Sequence, residues 1–128
     1  MSYYFSKRLR VPFADAVERV TAALKVEGFG ILTEIDVRAT LKKKLDVDFR
    51  PYKILGACNP QMAHQALQSE PMIGAMLPCN VVVQEVGDGE VEVAAVDPVA
   101  SMNAIENSAL GAVALEVQSR LKAVISSL

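Results

Sequence analysis

Asn80-Val81-Val82-Val83-Gln84-Glu85-Val86 and Glu90-Val91-Glu92-Val93-Ala94-Ala95-Val96, joined by Gly87-Asp88-Gly89, are the stretch on which the fold turns. Both arms are rich in β-branched residues, and a Gly-Asp-Gly link between such arms predicts a hairpin. An antiparallel pair is therefore expected near the C-terminal half. Asp97-Pro98 closes it, since proline cannot donate to a continuing ladder. Beyond it, Leu110, Ala114, Val117, Leu121, Val124 and Leu128 recur at steps of four and three, the stripe of one long helix. The same spacing would suit a short coiled-coil seam, and packing on a sheet uses it equally well.

Upstream of the hairpin, three further strand-like runs alternate with helical ones. Ser2 to Leu9 alternates aromatic and polar residues as a half-buried strand does. Phe13, Val17, Val20 and Leu24 mark a helix that Gly28 is placed to end. Gly30 to Ile35 reads as a second strand. Asp36 is placed to cap a helix with Val37, Leu41 and Leu45 on one face. The adjoining Lys42, Lys43 and Lys44 read as a solvated face, with an anion or acidic partner as the alternative. Tyr52 to Ala57 is a third strand, and Asn59-Pro60 supplies an N-cap and a first helical residue for a helix reaching Glu70. Met72 to Leu77 is expected to form a turn or a short helical piece packed on the core.

This order predicts an α+β fold over residues 1–128. About five strands form a mainly antiparallel sheet, with helices packed mainly on one face. The chain has 128 residues, 52% of them hydrophobic and 22% charged, a balance that supports one folded domain without metal or disulfide support. A net charge of −2 supplies no field to draw a polyanion, so nucleic acid is not an expected partner. The first ten residues lack the apolar core of a secretory signal, and charged residues interrupt every long apolar stretch. A cytoplasmic location without membrane association is the expectation.

Chemistry-bearing residues concentrate at two short motifs, Cys58-Asn59-Pro60 and Pro78-Cys79-Asn80, which hold both cysteines of the chain. Whether they meet depends on topology. A plain parallel crossover would place the thiols at opposite ends of the sheet, whereas a helix retraced by Pro71 to Leu77 would make the two strands antiparallel neighbours. In the second arrangement Cys58, Asn59, Cys79 and Asn80 are candidate ligand-binding residues for a small molecule or metal ion. A redox pair is the alternative, and two small buried residues the plain structural one. His64, the one histidine, lies one position off the apolar stripe of its helix and reads as an ordinary surface or half-buried residue, with a ligand or base as the alternative. Glu34, Asp36 and Asp97 fall near strand ends, where capping and turn formation account for Asp36 and Asp97. Gly28-Phe29-Gly30 lacks a third glycine and precedes a strand, so it is no dinucleotide-binding loop. Catalytic residues, a resident metal and a cofactor are not assignable from these patterns.

Gly28-Phe29-Gly30-Ile31-Leu32-Thr33-Glu34-Ile35-Asp36, Phe49-Arg50-Pro51-Tyr52-Lys53-Ile54-Leu55-Gly56-Ala57-Cys58-Asn59-Pro60 and Leu77-Pro78-Cys79-Asn80-Val81 closely resemble the domain-of-unknown-function 302 family. The resemblance runs from about Tyr4 to Leu128. It implies a small bacterial or archaeal α+β protein with a TATA-binding-protein-like arrangement, an antiparallel sheet backed by helices, and a homodimer as the expected assembly. It favours the antiparallel meander that brings Cys58 and Cys79 toward one sheet end. It brings no catalytic role with it.

Three functional readings follow: a cytosolic homodimeric binding module at the paired Cys-Asn motifs, a thiol-dependent enzyme or redox protein, and a structural or interaction protein without a ligand.

Overall fold

The computed structural model describes residues 2–128. Five strands, β1 (Tyr4–Leu9), β2 (Gly30–Asp36), β3 (Tyr52–Cys58), β4 (Cys79–Gly87) and β5 (Glu90–Val96), form one open sheet in the order β1-β5-β4-β3-β2. Every neighbouring pair is antiparallel. The expected hairpin is β4–β5, turning at Asp88-Gly89 with Gly87 opposite Glu90. The open antiparallel sheet with its helices is compatible with the TATA-binding-protein-like arrangement. β1 begins at Tyr4 rather than Ser2, whose hydroxyl donates instead to the Tyr4 carbonyl at 2.9 Å.

The strand period of two decides which face is buried. Val81 and Val83 of β4 and Val91, Val93 and Ala95 of β5 turn inward, and each is almost wholly removed from water. Against them pack Ala16, Val20 and Leu24 of α1 (Phe13–Val26) and Val117, Leu121 and Val124 of α5 (Ser108–Ser127) in one core cluster. Each such Val or Leu contributes about 1.5–3 kcal/mol through burial. The opposite face of the sheet is left without a helix over β4 and β5, where Asn80, Val82, Gln84, Glu92, Ala94 and Val96 form a shallow groove with Tyr4 and Tyr52.

The helix ends follow their local chemistry. α1 closes with a paired turn, Gly28 N–H donating to Lys25 O and Phe29 N–H to Leu24 O, and Gly28 takes the left-handed conformation this needs (φ 86). Asp36 caps α2 (Val37–Leu45), accepting from Ala39 N at 2.9 Å. The expected apolar face of α2 does not reach a core, however. None of its residues is buried, and Leu45 is 66% exposed. The reason is position, because α2 rests against the edge strand β2 and its neighbour β3, away from α1 and α5. Lys42 of this helix pairs with Asp46 and Asp48, as a solvated face does.

α3 (Pro60–Ser69) starts at Asn59, whose Oδ1 accepts from Met62 N at 3.2 Å. The following Pro71–Met76 forms a 3-10 helix that buries Ile73 completely. Ile73, Ala66 of α3 and Leu110 of α5 make a second, smaller cluster. The short α4 (Pro98–Ser101) was not expected from the sequence. It forms because Asp97 accepts from Val99 N and Ala100 N, with Pro98 as its first residue. Among the described residues no helix is long and apolar enough to cross a membrane.

Candidate functional site

Cys58 ends β3 and Cys79 begins β4, and the register sets Ala57 directly opposite Cys79. The two motifs thus meet at one end of the sheet, because the chain runs out along α3 and returns through the 3-10 segment. There they border a cavity of about 290 Å³. Its walls come from the sheet end, α3, the Leu77-Pro78 link and the middle of α5. It lies along the seam between the two hydrophobic clusters, with Ala57, Cys79 and Val117 from the larger and Ala66 from the smaller.

Of the four candidate residues, Cys58, Asn59 and Cys79 line this cavity. Asn80 does not, since it is the next residue along the strand and takes its side chain to the helix-free face. His64 is exposed and outside the wall. The carboxylates are separate from one another and from the cavity. Glu34 pairs with Lys53 at 2.7 Å, Asp36 caps α2, and Asp97 is held by α4 and by Gln118 Nε2 at 3.0 Å. Sequence reasoning did not reach Phe29, Met102, Val113 or Ala114, which complete the wall from distant parts of the chain. The helical stripe through Ala114 and Val117 was visible, but which part of it faced the sheet end was not.

Among the described residues no charged side chain lines the wall. An ion entering without a counter-charge would lose its hydration with nothing to replace it, so the space suits a neutral or soft guest. Both thiols are free. Burial pushes the Cys79 thiol up from its ordinary value of 9.0 to about 11, with the nearby Cys58 adding to the effect. Burial also raises Cys58. Both are therefore protonated at neutral pH, and no His, Asp or Glu lines the wall to deprotonate them.

Asn59 is held at the rim by its cap and sits close to the α1 turn. Its Oδ1 caps α3, and its Nδ2 lies against the α1 turn, where a Cβ on Gly28 would stand 2.9 Å from it. Arg120 of α5 reaches the same turn, donating to Glu27 O at 3.1 Å. Three residues before Asn59, Gly56 leaves room for Thr33 and the Pro78 ring.

The profile of Domain of unknown function DUF302 matches residues 5–128. The chain belongs to the DUF302 family. A solved structure similar to it is the crystal structure of an uncharacterised conserved DUF302 protein from Bacillus stearothermophilus, with a TM-score of 0.89 and 29% sequence identity. The match covers 98% of each chain, so the five-stranded sheet and its helices are common to this DUF302 pair. A comparison with curated proteins returns no match.

Proposed function

We propose that this DUF302 chain is a binding module whose ligand enters the cavity at Cys58, Asn59 and Cys79. The observation that carries the reading is an uncharged, mainly apolar cavity of about 290 Å³ bordered by Cys58, Asn59 and Cys79. That is near the lower end of about 300–1,000 Å³ for ligand pockets, which points to a small guest rather than a nucleotide. Free thiols fit a reducing, cytosolic compartment. A thiol-dependent enzyme is less well supported, because a nucleophilic cysteine needs a lowered pKa or an adjacent base. Burial acts on both thiols in the other direction.

Thermal shift and ligand-observed NMR with indole and naphthalene test the reading, with the variant Ala114→Leu filling the space. Binding to the wild type that disappears in Ala114→Leu is the expected result. Absence of binding by both compounds, or undiminished binding by the filled variant, overturns it.

Self-association is a second element of the proposal. The helix-free sheet face carries the exposed Tyr4 and the partly exposed Val82, Ala94 and Val96 beside Asn80, Gln84 and Glu92, an apolar share on a surface that antiparallel sheets commonly keep polar. A homodimer closed on this face predicts that Val82→Lys turns a dimeric sedimentation profile into a monomeric one. A monomeric wild type removes this element.

A further inference from the structure

The cavity is long. It borders Leu32 of β2, Ala57 of β3, Cys79 of β4 and Pro98 just beyond β5, so it runs across one end of four neighbouring strands. Adjacent strands lie about 4.8 Å apart, which makes that span on the order of 14 Å. An apolar cavity of about 150 Å³ holds benzene. The cavity here, at about 290 Å³, is nearly twice that size. It therefore has room for roughly ten to twelve non-hydrogen atoms. A ring occupies part of the length, whereas an aliphatic chain can follow all of it. Leu32 and Leu67 border the cavity yet are 67% and 44% exposed, so its opening is flanked by apolar residues of β2 and α3. Leu32 stands at a break in the ladder, between Ile31 opposite Ala57 and Thr33 opposite Gly56. Such an irregularity in an edge strand frees a residue from pairing and re-aims it.

Polar recognition is confined to one place. Among the described residues Asn59 brings the only side-chain amide to the wall. Its Oδ1 accepts from Met62 N, but its Nδ2 donates to no described residue. No buried side-chain nitrogen or oxygen among the described residues lacks a partner, so this nitrogen is open to solvent. It lies 2.9 Å from the point a Cβ on Gly28 would occupy, and Arg120 Nη1 lies 3.2 Å from the same point. The guanidinium is already engaged, Nη1 by Glu27 O at 3.1 Å and Nε by the Glu116 carboxylate at 3.1 Å. With that charge balanced, an ionised head group gains little here and loses its hydration against an apolar wall. A neutral acceptor takes the amide's hydrogen bond without that cost. We propose, taking this cavity as the ligand site, that its guest is an uncharged aliphatic chain bearing a carbonyl. The chain lies across the sheet end, and the carbonyl oxygen accepts from Asn59 Nδ2, the one polar contact that orients it.

The probe is methyl octyl ketone, followed on the full chain by ligand-observed NMR and by the infrared stretching band of its isotope-labelled carbonyl. The wild type is expected to bind it and to shift the band to lower frequency, as a hydrogen bond to the carbonyl does. Asn59→Asp keeps the cap acceptor and loses the donor. It should weaken binding by about three- to tenfold, the scale of one net hydrogen bond, and abolish the band shift. Decanoate, of matched length but ionised at neutral pH, should bind more weakly than the ketone. A wild type that does not bind the ketone, an Asn59→Asp protein that binds it undiminished, or decanoate bound as tightly as the ketone overturns the proposal. If Asn59→Asp does not fold, the wild-type band decides, and an unshifted band overturns the hydrogen bond. Indole binding on the same preparation separates the two readings. Indole binding without ketone binding removes the carbonyl-bearing chain alone, whereas loss of both removes the cavity as a ligand site.

Discussion

Gly56 and Thr33 face each other so closely across β3 and β2 that a Cβ added to Gly56 would stand 2.1 Å from Thr33 Oγ1. The Pro78 ring blocks the same space at 2.7 Å. Gly56→Ala is therefore expected to destabilise the protein by about 1–3 kcal/mol, the range for forced overpacking. Urea denaturation should show a lower midpoint with an unchanged slope. Thr33→Ala in the same background should recover part of the loss, because it removes the nearer of the two obstructions.

Asn59 acts on stability through its cap. Asn59→Ala leaves the Met62 N–H without its side-chain acceptor and should cost about 1 kcal/mol. Asn59→Asp keeps the acceptor and should stay near wild type. Thermal and chemical denaturation compared across the three proteins provide the check.

The buried Cys79 thiol sets a window of alkaline sensitivity. In the unfolded chain it ionises near its ordinary value of 9.0, but in the fold only near about 11. Between these values the folded state holds more protons than the unfolded one, so stability falls as pH rises. The expected slope is about 1.4 kcal/mol per pH unit. Cys79→Ala should remove this component from the difference between pH 9 and pH 11. Equal pH dependence in the variant and wild type would contradict the assignment.

Asp97 and Gln118 form a polar tie within an otherwise apolar region. Asp97 is 8% exposed and accepts from Val99 N at 2.9 Å, Ala100 N at 3.5 Å and Gln118 Nε2 at 3.0 Å. Asp97→Ala should cost about 2 kcal/mol, combining the cap with donors left unpaired. Asp97→Asn retains an acceptor oxygen and should cost less. A double-mutant cycle with Gln118→Ala should return a coupling of about 1 kcal/mol.

Local chemistry made much of this fold legible. Asp36, Asn59-Pro60 and the Asp88-Gly89 turn each act within a few residues, so the sequence reveals their role before any long-range contact is known. The meeting of Cys58 and Cys79 was of another kind. It depended on whether Pro71–Met76 carried the chain back along α3, and a run containing both Pro71 and Gly74 left that path open. Asn80 was readable in principle. If Cys79 points inward, strand alternation sends the next side chain outward. Met102 and Val113 were not readable, because their place in the wall is set by how α4 and α5 pack. The exposed Leu45 shows the converse: an apolar stripe predicts a helix, but only its neighbours decide whether that stripe is covered.

The seam that holds the cavity also divides the molecule into parts of unequal persistence. The smaller cluster has three buried side chains, Ala66, Ile73 and Leu110, against seventeen in the larger among the described residues. Local opening begins where the fewest apolar contacts must be broken. Amide hydrogens of α3 and the 3-10 segment will therefore exchange with solvent ahead of those in β4 and β5. An opening of that kind uncovers the cavity while the sheet stays intact, which makes the weaker cluster the door and gives any guest bound there the effect of a latch.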